Sequence, residues 1–190
     1  DIMRPIVAQE KSAFDFRQIL DKKKLFLANL SKGRLGDRNT SLLGLVLVSK
    51  FLQAAFSRVD TQTASLPTFY LYIDEFQNFA TPSIGTILSE ARKYKLSLTI
   101  AHQFIAQLEE KIRDAVIGNV GTKMVFRIGT TDAEFLEKQF HPVFTRFDLE
   151  NQENRHASVA LLVNGVPARP FTINTVKMPP IDYSRVDALK

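Results

Sequence analysis

The sequence predicts an α/β protein: a mostly parallel sheet flanked by helices, incomplete as it stands, with a β-hairpin at its carboxyl-terminal end. Three observations predict it. Short runs at Leu25–Leu30, Thr68–Ile73 and Leu96–Gln103, the last ending in polar residues, read as strands, and such continuous apolar runs mark strands buried on both faces, the habit of parallel sheets. Stretches with helical periodicity lie between them. Finally, Asn164-Gly165 joins two β-favouring segments, a strong hairpin signal.

Composition agrees with a packed core. The 190 residues are 45% hydrophobic and 24% charged, with fifteen Phe and no Trp, which suits one compact globular domain. A net charge of +5 permits nucleic acid or another polyanion as a partner without requiring one. The absence of cysteine excludes disulfides and thiolate metal sites. No apolar run approaches membrane-spanning length; the longest, Leu42 to Val48, contains Gly44. No signal peptide is visible, so the cytoplasm is expected. The chain opens at Asp1 with Met3 two residues inside, which points to an excised part of a longer protein.

Taken in order, Phe14, Phe16, Ile19 and Leu20 predict a short helix or turn docked on the sheet. Lys22-Lys23-Lys24 lead into the Leu25–Leu30 strand. The polar loop 31–39 follows, with Gly33, Gly36 and the bases Lys32, Arg34 and Arg38, which can touch phosphates of a nucleotide or of DNA. A polar loop before a helix N-terminus is an equal reading. From Thr40 to about Arg58 a helix apolar nearly all round is expected to be largely buried. After the Thr68–Ile73 strand and Asp74-Glu75, Thr81-Pro82-Ser83 starts a helix whose Ile84, Ile87, Leu88 and Ala91 share one face, with Arg92 near its end. One or two short helices span Phe104 to Ile117, a fourth strand spans Lys123–Ile128, and Thr131-Asp132-Ala133-Glu134 reads as a capping box opening a helix to Phe140. Thr145-x-x-Asp148 is a second such signal. Pro170 puts the last hairpin strand at a sheet edge. Residues 1–176 are expected to form one domain portion and 177–190 a tail or linker.

The functional signal is concentrated at Asp74-Glu75. Two carboxylates at the end of a buried parallel strand emerge where open α/β sheets bind ligands. This is the shape of a Walker B motif, whose aspartate helps hold Mg²⁺ in P-loop NTPases. Two solvated acids, one capping the next helix, are the plainer alternative. If Leu96–Gln103 is the neighbouring strand, Gln103 lies beside the acids, and its amide can both donate and accept. His102 has no metal-ligand spacing around it.

Together, Tyr70-Leu71-Tyr72-Ile73-Asp74-Glu75-Phe76-Gln77-Asn78-Phe79, Leu88-Ser89-Glu90-Ala91-Arg92-Lys93-Tyr94 and Leu98-Thr99-Ile100-Ala101-His102-Gln103 resemble the RecA-like (P-loop NTPase) motor domain of the HerA/FtsK superfamily, and most of all the TraD/TraG-type coupling ATPases of conjugative and type IV secretion systems. The resemblance implies that Asp74 is the Mg²⁺-linked acid, acting through water, and Glu75 the catalytic base. It implies that Gln103 is the motif glutamine and Arg92 an arginine finger for a neighbouring subunit, with Arg127 a weaker candidate for such a role. ATP and Mg²⁺ as cofactors, DNA as partner, a homo-hexamer, and secretion-system or relaxosome proteins are implied for the intact parent, which would work at the inner face of the cell membrane. No Gly-x-x-x-x-Gly-Lys-Ser/Thr occurs, so the chain corresponds to the carboxyl-terminal half of such a domain, and negligible ATP binding is expected of it alone. The competing reading is a non-catalytic DNA- or protein-binding scaffold with a degenerate nucleotide site.

Overall fold

The computed structural model describes residues 3–81 and 83–180. Pro82, expected in the first turn of a helix, and the expected tail from residue 181 onward lie outside the described residues. The chain divides into two compact units, Asp1–Val120 and Gly121–Lys190.

The first unit opens with α1 (Arg4–Val7) and α2 (Phe16–Asp21). Asp15 caps α2, accepting from the backbone N–H groups of Arg17 and Gln18 at 2.7 and 3.2 Å. Ile19 and Leu20 of α2 are buried. The Phe51 ring lies 4.9 Å from Phe16, 5.2 Å from Phe26 and 5.6 Å from Phe69, so the expected docking of the Phe16 region is made by an aromatic cluster.

Two expectations fail around this cluster. Residues 24–30 form no strand, and Leu25 and Leu27 are 86% and 82% exposed. Phe26 and Leu30 pack against the core, but no ladder holds the segment. The loop expected at 31–39 is also largely helical. A single turn, α3 (Lys32–Leu35), ends at Gly36, whose φ of +78° favours glycine, and α4 (Asp37–Phe56) starts directly after it.

Helix α4 is the core helix. With the turn that follows it, residues 37–60 are long and apolar enough to cross a membrane by length and composition, although the longest unbroken apolar run within them is short. Its inner stripe, Leu43, Val48, Phe51, Leu52 and Ala55, is buried within the unit. Gly44 lies on that stripe for a steric reason. A Cβ there would sit 2.1 Å from Cε1 of Phe79, so only glycine lets the ring press on the helix backbone. Alanine in mid-helix would gain about 1 kcal/mol of propensity. Overpacking of a tight core costs typically about 1–3 kcal/mol, and a ring this close has to move. Gly44→Ala is therefore expected to lower the melting temperature, and trimming the ring in Gly44→Ala/Phe79→Leu to restore most of the loss. An unchanged melting temperature in the single variant would contradict the contact.

Strands β1 (Phe69–Ile73) and β2 (Leu96–Ile100) pair in parallel, with Phe69 opposite Leu96 and Ile73 opposite Ile100. The connection between them holds α5 (Ser83–Glu90), and α6 (Glu110–Asn119) follows β2. Phe69, Leu71 and Ile73 turn inward, whereas Tyr70 and Tyr72 are 61% and 72% exposed. The strand expected to be buried on both faces is thus covered on one, and among the described residues β2 is its only ladder partner.

At the end where these strands begin sits a fully buried arginine. Arg58 donates from Nε to Oδ1 of Asp21 at 3.0 Å, and from Nη1 to the carbonyls of Tyr94 and Pro67 at 2.8 and 3.3 Å. Burial pulls its pKa below the usual arginine value, against the attraction of Asp21. Arg17 extends the network through Asp21, Asp60 and Thr61.

The second unit is a three-stranded antiparallel sheet in the order β3 (Lys123–Val125), β4 (His156–Ala160), β7 (Phe171–Asn174), with a small hairpin of β5 (Leu162–Val163) and β6 (Val166–Pro167). β3 pairs with β4 and is shorter than the expected 123–128 strand. Asn164 and Gly165 both take positive φ, 53° and 82°, as their turn requires, and β7 is an edge strand as Pro170 predicted. Helix α7 (Thr130–Phe140) starts at Gly129 without a side-chain cap, so the expected box at Thr131 is not the cap. The box at Thr145 is real and opens α8 (Arg146–Glu150); its backbone and hydroxyl hold the Asp148 carboxyl below the usual carboxylate range.

Candidate functional site

The parallel register brings the sequence's polar residues to one rim. Past Ile73 and Ile100 the ladder continues: Ala101 N–H donates to the Ile73 carbonyl and Phe76 N–H to the Ala101 carbonyl, both at 2.9 Å. Asp74-Glu75 and His102-Gln103 therefore leave adjacent strands together. Glu75 takes a left-handed backbone, φ 50° and ψ 44°, uncommon for a residue with a Cβ. Its N–H donates to Oδ1 of Asp74 at 2.9 Å. A 3-10 turn, Phe76–Asn78, follows, and the buried rings of Phe76 and Phe79 anchor it.

The Glu75 carboxylate is held on both oxygens. Gln103 Nε2 donates to Oε1 at 2.6 Å, and Gln77 Nε2 donates to Oε2 at 2.6 Å. Asn78 Nδ2 donates to the Glu75 carbonyl at 3.1 Å, and Lys32 Nζ donates to Oδ1 of Asn78 at 3.2 Å. Lys32 also lies 3.5 Å from Asp37. Beside this rim is a cavity of about 660 Å³ with Phe26, Leu30, Phe51 and Leu71 among its apolar walls and Lys32, Asp74, Glu75, Asn78 and Gln103 at its polar side.

Of the residues singled out in the sequence, Asp74, Glu75, Gln103 and Lys32 meet here. Arg34 and Arg38 are exposed on α3 and the first turn of α4. Arg92 does not share the rim. It is exposed in the 3-10 turn Ala91–Tyr94 that leads into β2, at the opposite end of a strand about 13 Å long. Arg127 is exposed just past β3 in the second unit. His102 is half-buried, and its Nδ1 has no partner among the described residues. Sequence reading missed Gln77 and Asn78, which stand inside the quoted motif but act only through the turn at Glu75.

No cluster of three or more His, Cys, Asp or Glu able to hold a metal occurs among the described residues. Mg²⁺ keeps several waters and commonly takes one or two carboxylates plus substrate phosphates. Asp74 suits that role: it is exposed, and among the described residues only its Oδ1 is engaged, by the Glu75 N–H.

The fold is of the RecA-like kind seen in P-loop NTPases. Solved structures similar to the chain include a bacterial conjugative coupling protein, TrwBΔN70 (TM-score 0.57, 15% identity, 74% of this chain and 40% of that one). VirB4 of Thermoanaerobacter pseudethanolicus is similar at TM-score 0.55 and 16% identity, over 78% of this chain and 40% of that one. The genome packaging NTPase B204 of Sulfolobus turreted icosahedral virus 2, solved with AMPPCP, is similar at TM-score 0.55 and 14% identity, over 87% of this chain and 73% of that one. The chain thus spans 40% of the length of each of the first two.

In sequence, residues 68–139 match the family described as the TraM recognition site of TraD and TraG. This match and the structural neighbours support the resemblance to a TraD/TraG-type RecA-like coupling ATPase fragment. No curated protein sequence matches the chain significantly.

Proposed function

We propose that the chain carries the Walker B part of an ATP-driven motor of the conjugation and secretion coupling type, one that translocates DNA in the intact protein. The observation that carries this reading is the joining of Glu75 at the end of β1 to Gln103 at the end of β2, at 2.6 Å, beside an exposed Asp74. In this reading Asp74 orients the water shell of Mg²⁺. Glu75 accepts the proton of the attacking water, and Gln103 links that carboxylate to the neighbouring strand, where the phosphate end of the nucleotide would lie. The cation, when bound, neutralises phosphate charge. Arg92, at the far end of β2, would act on a neighbouring subunit's nucleotide in a homo-hexamer. Lys32, Arg34 and Arg38 would meet phosphates of DNA or nucleotide. The phosphate-binding loop would come from a part of the parent outside this sequence, working at the cytoplasmic face of the membrane.

A second reading is favoured by one finding. The family matched over residues 68–139 is described as a TraM recognition site, which supports a relaxosome-protein partnership for this segment. The two readings separate in one experiment, ATP turnover by the full-length protein carrying Glu75→Gln. Loss of turnover by the folded variant supports the motor; wild-type turnover rejects the base and leaves the scaffold reading.

A further inference from the structure

We propose that Gln77 is a positioning residue for Glu75, forming with Gln103 a two-amide clamp that holds the carboxylate at the rim; this rests on the reading of Glu75 as the base. An ionised carboxylate only accepts hydrogen bonds, so both glutamines must turn their NH₂ groups toward it, and each lies 2.6 Å from a different oxygen. The two arms come from different elements. Gln103 reaches across from the end of β2, whereas Gln77 belongs to the 3-10 turn Phe76–Asn78 that directly follows Glu75.

The orientation of Gln77 carries a local cost. With its NH₂ on Glu75, its Oε1 is buried and has no hydrogen-bond partner among the described residues. Buried polar atoms are seldom left so, and the reverse orientation would set oxygen against oxygen. The left-handed backbone of Glu75 adds a second cost, of the kind that persists where surrounding contacts over-determine it. Those contacts are Asp74 on its N–H and Asn78 on its carbonyl. Together they turn the chain so that a side chain two residues on meets the carboxylate of Glu75. Gln103, on the neighbouring strand, is then free to leave Glu75 for a bound phosphate or water while Gln77 keeps the carboxylate aimed.

The test uses the full-length protein with Gln77→Met, which keeps length without a donor, and Gln77→Glu, which keeps shape and adds a like charge. The expected result is a fall in kcat of about 10- to 100-fold in both, larger for Gln77→Glu, with KM for ATP and the melting temperature unchanged. Wild-type kcat in both variants, alongside a Glu75→Gln variant that has lost turnover, overturns the clamp and leaves the base. A fall in kcat that tracks a lower melting temperature in both variants also overturns it, since packing would then explain the loss. Wild-type turnover in Glu75→Gln overturns the base and the clamp together.

Discussion

Replacing Glu75 with glutamine in the full-length protein is expected to lower kcat for ATP hydrolysis by about 10²–10⁴-fold, the usual range for a lost general base. KM for ATP should change little, because the interaction removed matters mainly in the transition state. The substitution is nearly isosteric, and an amide at position 75 can still bond Gln103 and Gln77, so the turn should stand and the melting temperature should hold. Loss of kcat without loss of stability is the diagnostic pair. A variant that turns over ATP at the wild-type rate would show that Glu75 is structural and that its two amide partners merely solvate an exposed turn.

The largest stability effect is expected at the other end of the same strands. Arg58 is fully buried and bonds Asp21 and the two carbonyls, Pro67 and Tyr94, that precede β1 and β2. Arg58→Met keeps much of the side-chain volume but removes every donor. Breaking a buried pair from one side costs about 3–5 kcal/mol. The Asp21 side chain is 33% exposed and keeps Arg17, which places the loss near the lower end of that range, about 3 kcal/mol. For a chain of this size that is a fall in melting temperature of about 6–12 °C. Thermal unfolding of the variant measures it directly. A change below about 1 kcal/mol would mean that water reaches the two carbonyls as readily as the guanidinium does.

Much of the candidate site was legible because parallel pairing converts sequence into position. Two apolar runs followed by polar residues, Ile73-Asp74-Glu75 and Ile100-Ala101-His102-Gln103, have to deliver those residues to one rim once their strands are neighbours. The hairpin at Asn164-Gly165 and the capping box at Thr145 were legible for a similar reason: each is local chemistry with a single geometry. Residues 24–30 show the limit. Six apolar or neutral residues in a row look like a buried strand, but strand formation needs a partner ladder, and here Leu25 and Leu27 face out. The open face of β1 at Tyr70 and Tyr72 has the same origin, since apolarity alone does not say what covers it. At Thr131 two starts compete, and the helix begins one residue earlier, at Thr130 after Gly129, without either side chain as cap. Arg92 was expected near the end of the helix that starts at Thr81-Pro82-Ser83 and at the acids' rim; it lies past that helix, in the turn that leads into β2, so it falls at the opposite end of the strand.

In the proposed motor, Asp74, Glu75 and Gln103 face the phosphate end of a nucleotide in the intact protein. A structure of the full-length protein with Mg²⁺ and a non-hydrolysable ATP analogue tests it most directly. The expected result is the cation within one water of the Asp74 carboxylate, with Glu75 and Gln103 flanking the terminal phosphate. Nucleotide bound away from the carboxyl ends of β1 and β2, with Glu75 still closed between Gln77 and Gln103, would contradict it.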